Sequence, residues 1–161
     1  MLQWEFWNRR DSKKNRWQKT IDFISDNAGI QLVESLHYTG FAILYNHPLD
    51  YNLITSVYNE WDIFFNSDIK HSYIFNPDTQ DGYFPFRCEN AKGYTEKDLK
   101  EFYHFYEWGK YPENISKNAI LLYDEILELG QELLEWLDTY SPEEVKTKFS
   151  MPLADMIENS R

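Results

Sequence analysis

The stretch GFAILYNHPLD, residues 40–50, restricts the fold more than any other part of the chain. Its apolar run FAILYN predicts a strand that is covered on both faces. Pro48 ends that strand, because proline has no backbone N–H to donate to a neighbouring strand. Asp50 is well placed to cap a helix that begins at about residue 51.

His47 and Asp50 raise a second possibility, because imidazole and carboxylate groups are common metal ligands. On a strand, however, residues three apart point to opposite faces. Pro48 interrupts the strand, so the sequence leaves the geometry of this pair open. We favour the simpler interpretation, in which a strand ends at His47 and Asp50 caps the next helix.

Helical and strand periodicities alternate along the rest of the chain. TIDFI, 20–24, predicts a short strand because apolar and polar residues alternate. Helices are predicted after Asp26–Asn27, ending at Thr39–Gly40, then from about 51 to 66 and from about 118 to 139. Their apolar stripes contain, in turn, Ile30, Val33 and Leu36; Ile54, Val57, Tyr58, Trp61, Phe64 and Phe65; and Leu122, Ile126, Leu129, Leu133 and Trp136.

The middle of the chain is dominated by turn signals. Residues 76–98 predict a loop, whereas the alternating, aromatic-rich segment 99–108 predicts a strand. Ser141 and Pro142 predict a break in the long helix and the start of one more turn, with Ser141 as its cap. Because the few strands are spread between helices, the sheet has open edges, and we expect another part of the protein to complete it.

Composition excludes several classes of function. The net charge of −11 opposes nucleic-acid binding, because an acidic surface repels phosphates. A single cysteine, Cys88, excludes an internal disulfide and a CxxC zinc site. No apolar run approaches the ~20 residues of a membrane span, and the first residues lack the features of a signal peptide. We therefore expect a cytoplasmic protein without membrane or nucleic-acid partners.

Catalytic and metal motifs are missing from the sequence. It contains no H-x-D, HExxH, GxSxG, GxxxxGK[ST] or GxGxxG pattern. His104 and Glu107 are spaced three apart on a predicted strand, which is unsuited to shared ligation, so a His104 that is hydrogen-bonded or half-buried is favoured. We expect no metal ligands and no catalytic residues in this chain.

The order of several segments resembles a known family. TIDFISDN, GFAILYNHPLD, WDIFF, DGYFPF with the following Glu89 and AKG, and DLKEFYHF occur in succession. Together, over about residues 20–140, they are similar to the N-terminal region of isopenicillin N synthase-like Fe(II)/2-oxoglutarate-dependent oxygenases. The resemblance implies an α+β fold of helices packed on a few strands, adjoining a jelly-roll (double-stranded β-helix) core that this chain lacks. It also makes His47 a structural residue.

The resemblance further implies an organisation and a set of partners. We expect an N-terminal arm over 1–19, a dioxygenase-like region over 20–149 and a lead-in to the missing core over 150–161. In the family, that core carries the H-x-D motif, the distal histidine and the Arg-x-Ser that binds 2-oxoglutarate. Fe(II) and 2-oxoglutarate are thus expected in the complete enzyme, with no cofactor in this chain, which would be inactive alone. The expected partners are the C-terminal core, a small-molecule substrate, and further copies of the chain through its exposed apolar face.

The resemblance also places the GY-containing loop and the strand after it near the mouth of the pocket. The predicted substrate-binding residues are Tyr83, Phe84, Arg87, Tyr103 and His104. Arg87 could pair with a substrate carboxylate in a bidentate manner, and His104 could form a hydrogen bond. The competing interpretation makes the aromatic residues core and pairs Arg87 with Glu89 or another acid.

Two functions follow from the sequence. The chain is the N-terminal part of an oxygenase that hydroxylates, desaturates or cyclises a small molecule, and it supplies packing and one wall of the pocket. Alternatively, it is a stand-alone interaction module whose aromatic face marks a partner site. Continuation of the reading frame past Arg161 into an H-x-D motif would separate the two.

Overall fold

Helices and short strands alternate in a computed structural model, which describes residues 20–159. In chain order the elements are β1 (Thr20–Asp22), α1 (Ala28–Thr39), β2 (Ile43–Tyr45), α2 (Tyr51–Phe65), a 3₁₀ helix (Asp68–Tyr73), β3 (Gly82–Phe84), β4 (Phe102–His104), α3 (Asn118–Tyr140), α4 (Glu143–Lys146) and α5 (Leu153–Asn159). β1 and β2 pair in parallel, and β3 and β4 pair antiparallel. This mixed helix and sheet architecture with small sheets confirms the α+β class; the predicted arm over 1–19 lies outside the described residues.

The chain divides into two compact units. Leu49–Glu125 forms one unit, and the segments on either side of it form the other. Within residues 20–159, no helix is both long enough and apolar enough to cross a membrane.

The core of the outer-segment unit forms where α1 and the second half of α3 pack on the β1–β2 pair. Ile21, Ala28 and Leu32 are buried at its centre. The partly buried residues around them are Leu36, Ala42, Leu44, Leu133, Trp136 and Leu137. The register that pairs Ile21 with Leu44 brings both side chains to this core. α1 ends as predicted, because Gly40 adopts the left-handed conformation (φ 75°) and donates its N–H to the carbonyl of Leu36.

The prediction that β2 is covered on both faces is wrong within this unit. Ala42 and Leu44 pack on the core, but Phe41, Ile43 and Tyr45 on the opposite face are 66%, 45% and 46% exposed. β2 pairs only with β1 among the described residues, and the helices of the unit cover one side of that pair. The continuous apolar run therefore leaves an exposed apolar surface, which we call the β2 surface (Phe41, Ile43, Tyr45).

The predicted helical stripes are correct in register but include some exposed residues. Ile30 is 47% exposed, and α1 instead buries Ala28, Leu32, Val33 and Ser35. Tyr58 and Ile126 are also exposed. Buried Ser35 satisfies its hydroxyl by donating to the carbonyl of Phe41 at 2.6 Å, as a buried polar group requires. Periodicity identifies the buried side of a helix, but only the packed neighbours decide how wide that side is.

An aromatic core fills the Leu49–Glu125 unit. Asp50 begins α2 as predicted, since its carboxylate accepts the N–H of Asn52 at 2.8 Å. Phe64 of α2 is fully buried and its ring centroid lies 5.3–6.1 Å from those of its neighbours. Those neighbours are Trp61, Phe65, Tyr73 and Tyr103.

In the same unit, α2 and the start of α3 are antiparallel and are joined by polar contacts at both ends of α2. The carboxylate of Glu60 accepts the hydroxyl of Ser116 at 2.6 Å and the amide of Asn118 at 2.9 Å. At the other end, the N–H of Asp50 donates to Glu125 at 3.2 Å. Ser116 also caps α3 by accepting the N–H of Asn118 at 3.1 Å.

Two local predictions need correction. The segment 76–98, predicted as a loop, contains β3, and the strand predicted over 99–108 shortens to β4. Pro142, predicted as the first helical residue of α4, lies at the N-cap instead, and Ser141 is not the cap. In both cases the element is only three or four residues long, so its extent depends on a distant partner rather than on its own periodicity.

Gly29 allows α1 to approach the end of α3. A Cβ at Gly29 would lie 2.6 Å from Cδ2 of Tyr140, whereas a Cβ at Gly130 would meet only Ile157 at 3.8 Å. Alanine normally stabilises a helix relative to glycine by about 1 kcal/mol, but overpacking costs about 1–3 kcal/mol. We therefore expect Gly29→Ala to lower the free energy of unfolding and Gly130→Ala, the matched control, to raise it. Urea denaturation measures both, and a stabilising Gly29→Ala would contradict this packing.

Candidate functional site

The β3–β4 pair distributes the predicted site residues between two faces. Its register pairs Gly82 with His104, Tyr83 with Tyr103, and Phe84 with Phe102. Because successive side chains on a strand alternate between faces, Tyr83 and Tyr103 share one face, while Phe84, Phe102 and His104 share the other. The structure therefore brings four of the five predicted residues onto one small sheet, but it separates them into an inner pair and an outer pair.

The inner face belongs to the aromatic core of the unit. Tyr83 is only 2% exposed, and its hydroxyl donates to the carboxylate of Glu101. The same carboxylate accepts Lys70 at 2.9 Å, and Lys70 also donates to the carbonyl of Phe65 at 2.5 Å. Burial raises the pKa of Tyr83, and the hydrogen bond from Tyr83 lowers the pKa of Glu101. This group is a neutral phenol held by an ion pair, which anchors β3.

Tyr103 lies on the same inner face. Burial raises the pKa of Tyr103 to about 12, and its hydroxyl donates to the carbonyl of Lys110 at 2.6 Å. The phenol is therefore neutral near pH 7 and acts as a hydrogen-bond donor. Tyr83 and Tyr103 thus support the sheet from beneath.

The side of the β3–β4 pair opposite Tyr83 and Tyr103 carries a continuous aromatic surface. We call this surface the outer face (Phe75, Phe84, Phe102, His104). Phe84 and Phe102 stack with centroids 4.4 Å apart and an interplanar angle of 13°. Phe75 lies 4.2 Å from Phe84, and His104 lies 4.9 Å from both strand phenylalanines. His104 is exposed, because the Leu49–Glu125 unit places its core on the opposite side of β4. Of the two predicted alternatives, half-burial is therefore wrong.

Gly82 allows Phe75 to join this surface. The backbone of Gly82 adopts φ 116°, and an added Cβ would lie 2.7 Å from the carbonyl oxygen of Tyr73. The segment before β3 can therefore run beside it, with the N–H of Phe75 donating to the carbonyl of Tyr83 at 3.0 Å. Glycine at this position is required both by its conformation and by the close approach.

A second aromatic pair is held in place by Asp81. The rings of Tyr106 and Trp108 stack 4.8 Å apart, and the indole N–H of Trp108 donates to the carbonyl of Thr79 at 3.0 Å. Asp81, only 3% exposed, accepts the hydroxyl of Thr79 and the N–H of Lys110 at 2.5 Å. Asp81 therefore ties the turn before β3 to the turn after β4.

Arg87 occupies a turn beyond β3 in an unfavourable conformation. The N–H of Cys88 donates to the carbonyl of Pro85, and Arg87 has φ 61°. That left-handed region favours glycine and costs other residues about 1–2 kcal/mol. Its guanidinium lies 5.3 Å from the ring centroid of Phe86. Glu89, a possible partner for Arg87, pairs instead with Lys100 at 3.3 Å, so Arg87 forms no ion pair within residues 20–159.

Metal ligation finds no support in the described part of the chain, where no group of three His, Cys, Asp or Glu side chains could hold a metal ion. Asp50 is used as a helix cap. The Nδ1 atom of His47 is buried without a hydrogen-bond partner among residues 20–159. The ring of His71, an exposed residue of the Leu49–Glu125 unit, packs edge-on against Tyr83 with the ring centroids 5.6 Å apart.

Sequence reasoning missed three features of this region. Phe75 reaches the outer face only through its bridge beside β3, and the Lys70–Glu101–Tyr83 group joins residues far apart in sequence. Asp81 carried a usable signal, because an Asp-Gly turn beside a strand suggests a side chain that bonds to the backbone.

The chain matches one protein-family model and is similar to solved structures of oxygenases. Residues 9–132 match the family model described as "non-haem dioxygenase in morphine synthesis N-terminal". This chain is similar in structure to a proposed oxygenase from Shewanella oneidensis, with a TM-score of 0.76 and 44% sequence identity. The match covers 86% of this chain and 48% of that protein's chain. A proposed 2OG-Fe(II) oxygenase family protein from Caulobacter crescentus is 25% identical, with a TM-score of 0.60 over 76% and 48%. The chain thus spans about half the length of these proteins, and no curated protein matches it.

The carboxylate of Asp81 makes stability depend on pH. The hydrogen bond from Thr79 holds the pKa of Asp81 below its ordinary value of 3.8, so its contribution is present above that pH and is lost as the pH falls below it. We expect Asp81→Asn to lower the free energy of unfolding by about 1–3 kcal/mol at pH 7, with the difference from wild type shrinking below pH ~4. Denaturation at several pH values measures this. Asp78→Asn in the same turn is the control, and a pH-independent difference would refute the role of the carboxylate.

The left-handed backbone of Arg87 predicts an order among its variants. Arg87→Ala and Arg87→Gly remove the same contacts, but only glycine relieves the strain, so we expect Arg87→Gly to be more stable than Arg87→Ala by about 1 kcal/mol. Arg87→Ala itself should differ from wild type by less than about 1 kcal/mol, as at other surface sites. Chemical denaturation of the three proteins measures this order. Equal stability of the two variants would show that the turn is not strained.

Proposed function

Because the chain belongs to the non-haem dioxygenase N-terminal family, we propose that it is the N-terminal part of an Fe(II)- and 2-oxoglutarate-dependent oxygenase that acts on a small molecule. The chain supplies packing surfaces and one wall of the substrate pocket. A separate jelly-roll core supplies the metal ligands and the 2-oxoglutarate site. This assignment accords with a location in the cytoplasm.

The β2 surface is the observation that carries this proposal. Phe41, Ile43 and Tyr45 present a row of apolar side chains on one face of a two-stranded pair. Exposed apolar patches of this kind mark surfaces that another partner covers, and the open edge of β2 invites a further strand. The related proteins are about twice as long as the matched region, so their remaining half is a natural occupant. The segment 150–161 then serves as the lead-in to that half.

The outer face supports the second part of the proposal, the pocket wall. His104 and Arg87 are exposed and Phe84 is half-buried on or beside it, so these three are the residues proposed to touch the substrate. Tyr83 and Tyr103 act from beneath, by holding the sheet that carries them. Aromatic side chains with a few polar groups are the usual lining of small-molecule pockets.

Iron has no fitting set of ligands in the described part of the chain. No three candidate side chains among residues 20–159 are grouped for it, whereas a non-haem Fe(II) centre requires two histidines and a carboxylate. Under this proposal the core provides all the ligands, and bound Fe(II) with 2-oxoglutarate supplies the oxidising chemistry. The chain itself orients the substrate and excludes water.

The test combines this chain with the half of the Shewanella oneidensis protein that it does not cover. We expect the chain alone to bind a hydrophobic dye or self-associate, and to show no stoichiometric, micromolar Fe(II) binding under anaerobic titration. Co-expression of the two parts should give a complex that binds Fe(II) and consumes 2-oxoglutarate. Fe(II) binding by the chain alone that is lost on His47→Ala would contradict the proposed division of labour.

A matched pair of variants locates the interface. Ile43→Asp places a charge on the β2 surface and should abolish the complex, whereas Ile30→Asp, at a residue of similar exposure on α1 (47% against 45%), should not. Thermal melts of the separate chain confirm that both variants fold. A compact chain that binds no dye and forms no complex would favour a stand-alone interaction module instead.

A further inference from the structure

We propose that the outer face and Arg87 together select a small molecule with a flat apolar body and a carboxylate. This inference rests on the proposed function, because it names the substrate class of the pocket wall described above. Neither the aromatic surface nor the arginine suffices by itself. The combination of a planar apolar surface with a cation that has no ion-pair partner within residues 20–159 defines the class.

The aromatic surface accounts for the flat apolar body. Phe84 and Phe102 are stacked nearly parallel, and Phe75 and His104 lie within 4.9 Å of them, so the four rings form a broad patch with little room to rearrange. Offset-stacked and edge-to-face contacts with such rings favour a planar apolar partner over a bulky or polar one. The support comes from beneath, where Tyr83 is buried, Tyr103 is half-buried, and both hydroxyls donate hydrogen bonds.

Arg87 accounts for the carboxylate. The chain contains 27 acidic residues, yet within residues 20–159 none forms an ion pair with Arg87. The nearby acids are used elsewhere, since Glu89 and Asp98 both pair with Lys100 at 3.3 Å. A planar guanidinium binds carboxylates through two parallel hydrogen bonds. An arginine left unpaired on an acidic protein is therefore suited to an external anion.

The backbone conformation of Arg87 also supports a binding role. Arg87 has φ 61°, a left-handed conformation that it shares with Asn46 and Gln80 and that glycine adopts more readily. Strained positions held by the surrounding fold are common at binding sites. Here the backbone conformation fixes the direction of the Cα–Cβ bond from which the side chain leaves the turn.

Arg87 and the outer face are close enough to act on one molecule. Arg87 follows Phe84 by three residues, so their Cα atoms are at most about 11 Å apart. At the opposite strand, the ammonium of Lys100 lies 4.9 Å from the ring centroid of Phe102. Lys100 is already paired with Glu89 and Asp98, so Arg87 is the cation proposed to meet the carboxylate of the ligand.

The experiment compares three probes on the 161-residue chain in 0.15 M salt, where non-specific charge effects are screened. The probes are 2-naphthoate, its uncharged counterpart 2-naphthalenemethanol, and acetate. Ligand-observed NMR titration gives their dissociation constants. We expect naphthoate to bind about tenfold more tightly than the alcohol because it adds a bidentate ion pair, and acetate to bind more weakly than either.

The variants separate the two parts of the site. Arg87→Gln should reduce naphthoate affinity to that of the alcohol without affecting the alcohol, and Arg87→Gly should do the same in a turn free of strain. Phe84→Ala should weaken both aromatic probes. Lys92→Gln, which removes a positive charge from an exposed position in the same loop, is the matched control and should leave all three affinities unchanged.

The outcomes distinguish this inference from the proposed function. Equal affinities for naphthoate and the alcohol, no binding of naphthoate, or an equal loss in Lys92→Gln would each overturn the assignment of substrate class, whatever the co-expressed complex does. Conversely, charge-selective binding that depends on Arg87, in a chain that never supports 2-oxoglutarate consumption, would uphold the ligand class and refute the oxygenase.

Discussion

The pairing of β3 with β4 is the constraint on which the rest of the candidate site depends. It spans only three residue pairs, and a slip of one residue would exchange its two faces. Such a slip would bury His104 and Phe84 and expose Tyr83 and Tyr103. Several contacts fix the register: the hydroxyl of Tyr83 reaches Glu101, Lys70 reaches the same carboxylate, and Gly82 admits the backbone of Tyr73. Together these contacts stabilise a strand pair that is too short to be stable by its own hydrogen bonds.

The two compact units contain sheets of the same size. Each contains one two-stranded pair with a packed face and an accessible face. In one unit the accessible face is the β2 surface, which is aliphatic and aromatic without charge; in the other it is the outer face, flanked by Arg87 and Lys100. The first resembles the interior of an interface and the second the wall of a ligand site. Two-stranded pairs are marginal in isolation, so both faces are suited to being covered by something else.

Charge is arranged so that few cations are left unpaired near the outer face. Lys70 is held by Glu101, and Lys100 by Glu89 and Asp98. The chain as a whole is strongly acidic, yet Arg87 has no ion-pair partner among the described residues. An acidic background also lowers the attraction of the remaining surface for anions. Specificity for an anion would therefore be local to the turn that carries Arg87.

The sequence by itself determined the features that depend on neighbouring residues. The cap at Asp50, the helix end at Gly40 and the long helix α3 were all predicted, because each arises from contacts within a few residues. The ordered motifs also identified the family. Only the tertiary structure decided which face of β2 is covered and where β3 lies. It also decided that Glu89 pairs with Lys100 rather than with Arg87, and that the backbone of Arg87 is left-handed. These features depend on residues brought together from distant parts of the chain, and no local periodicity records which of them will meet.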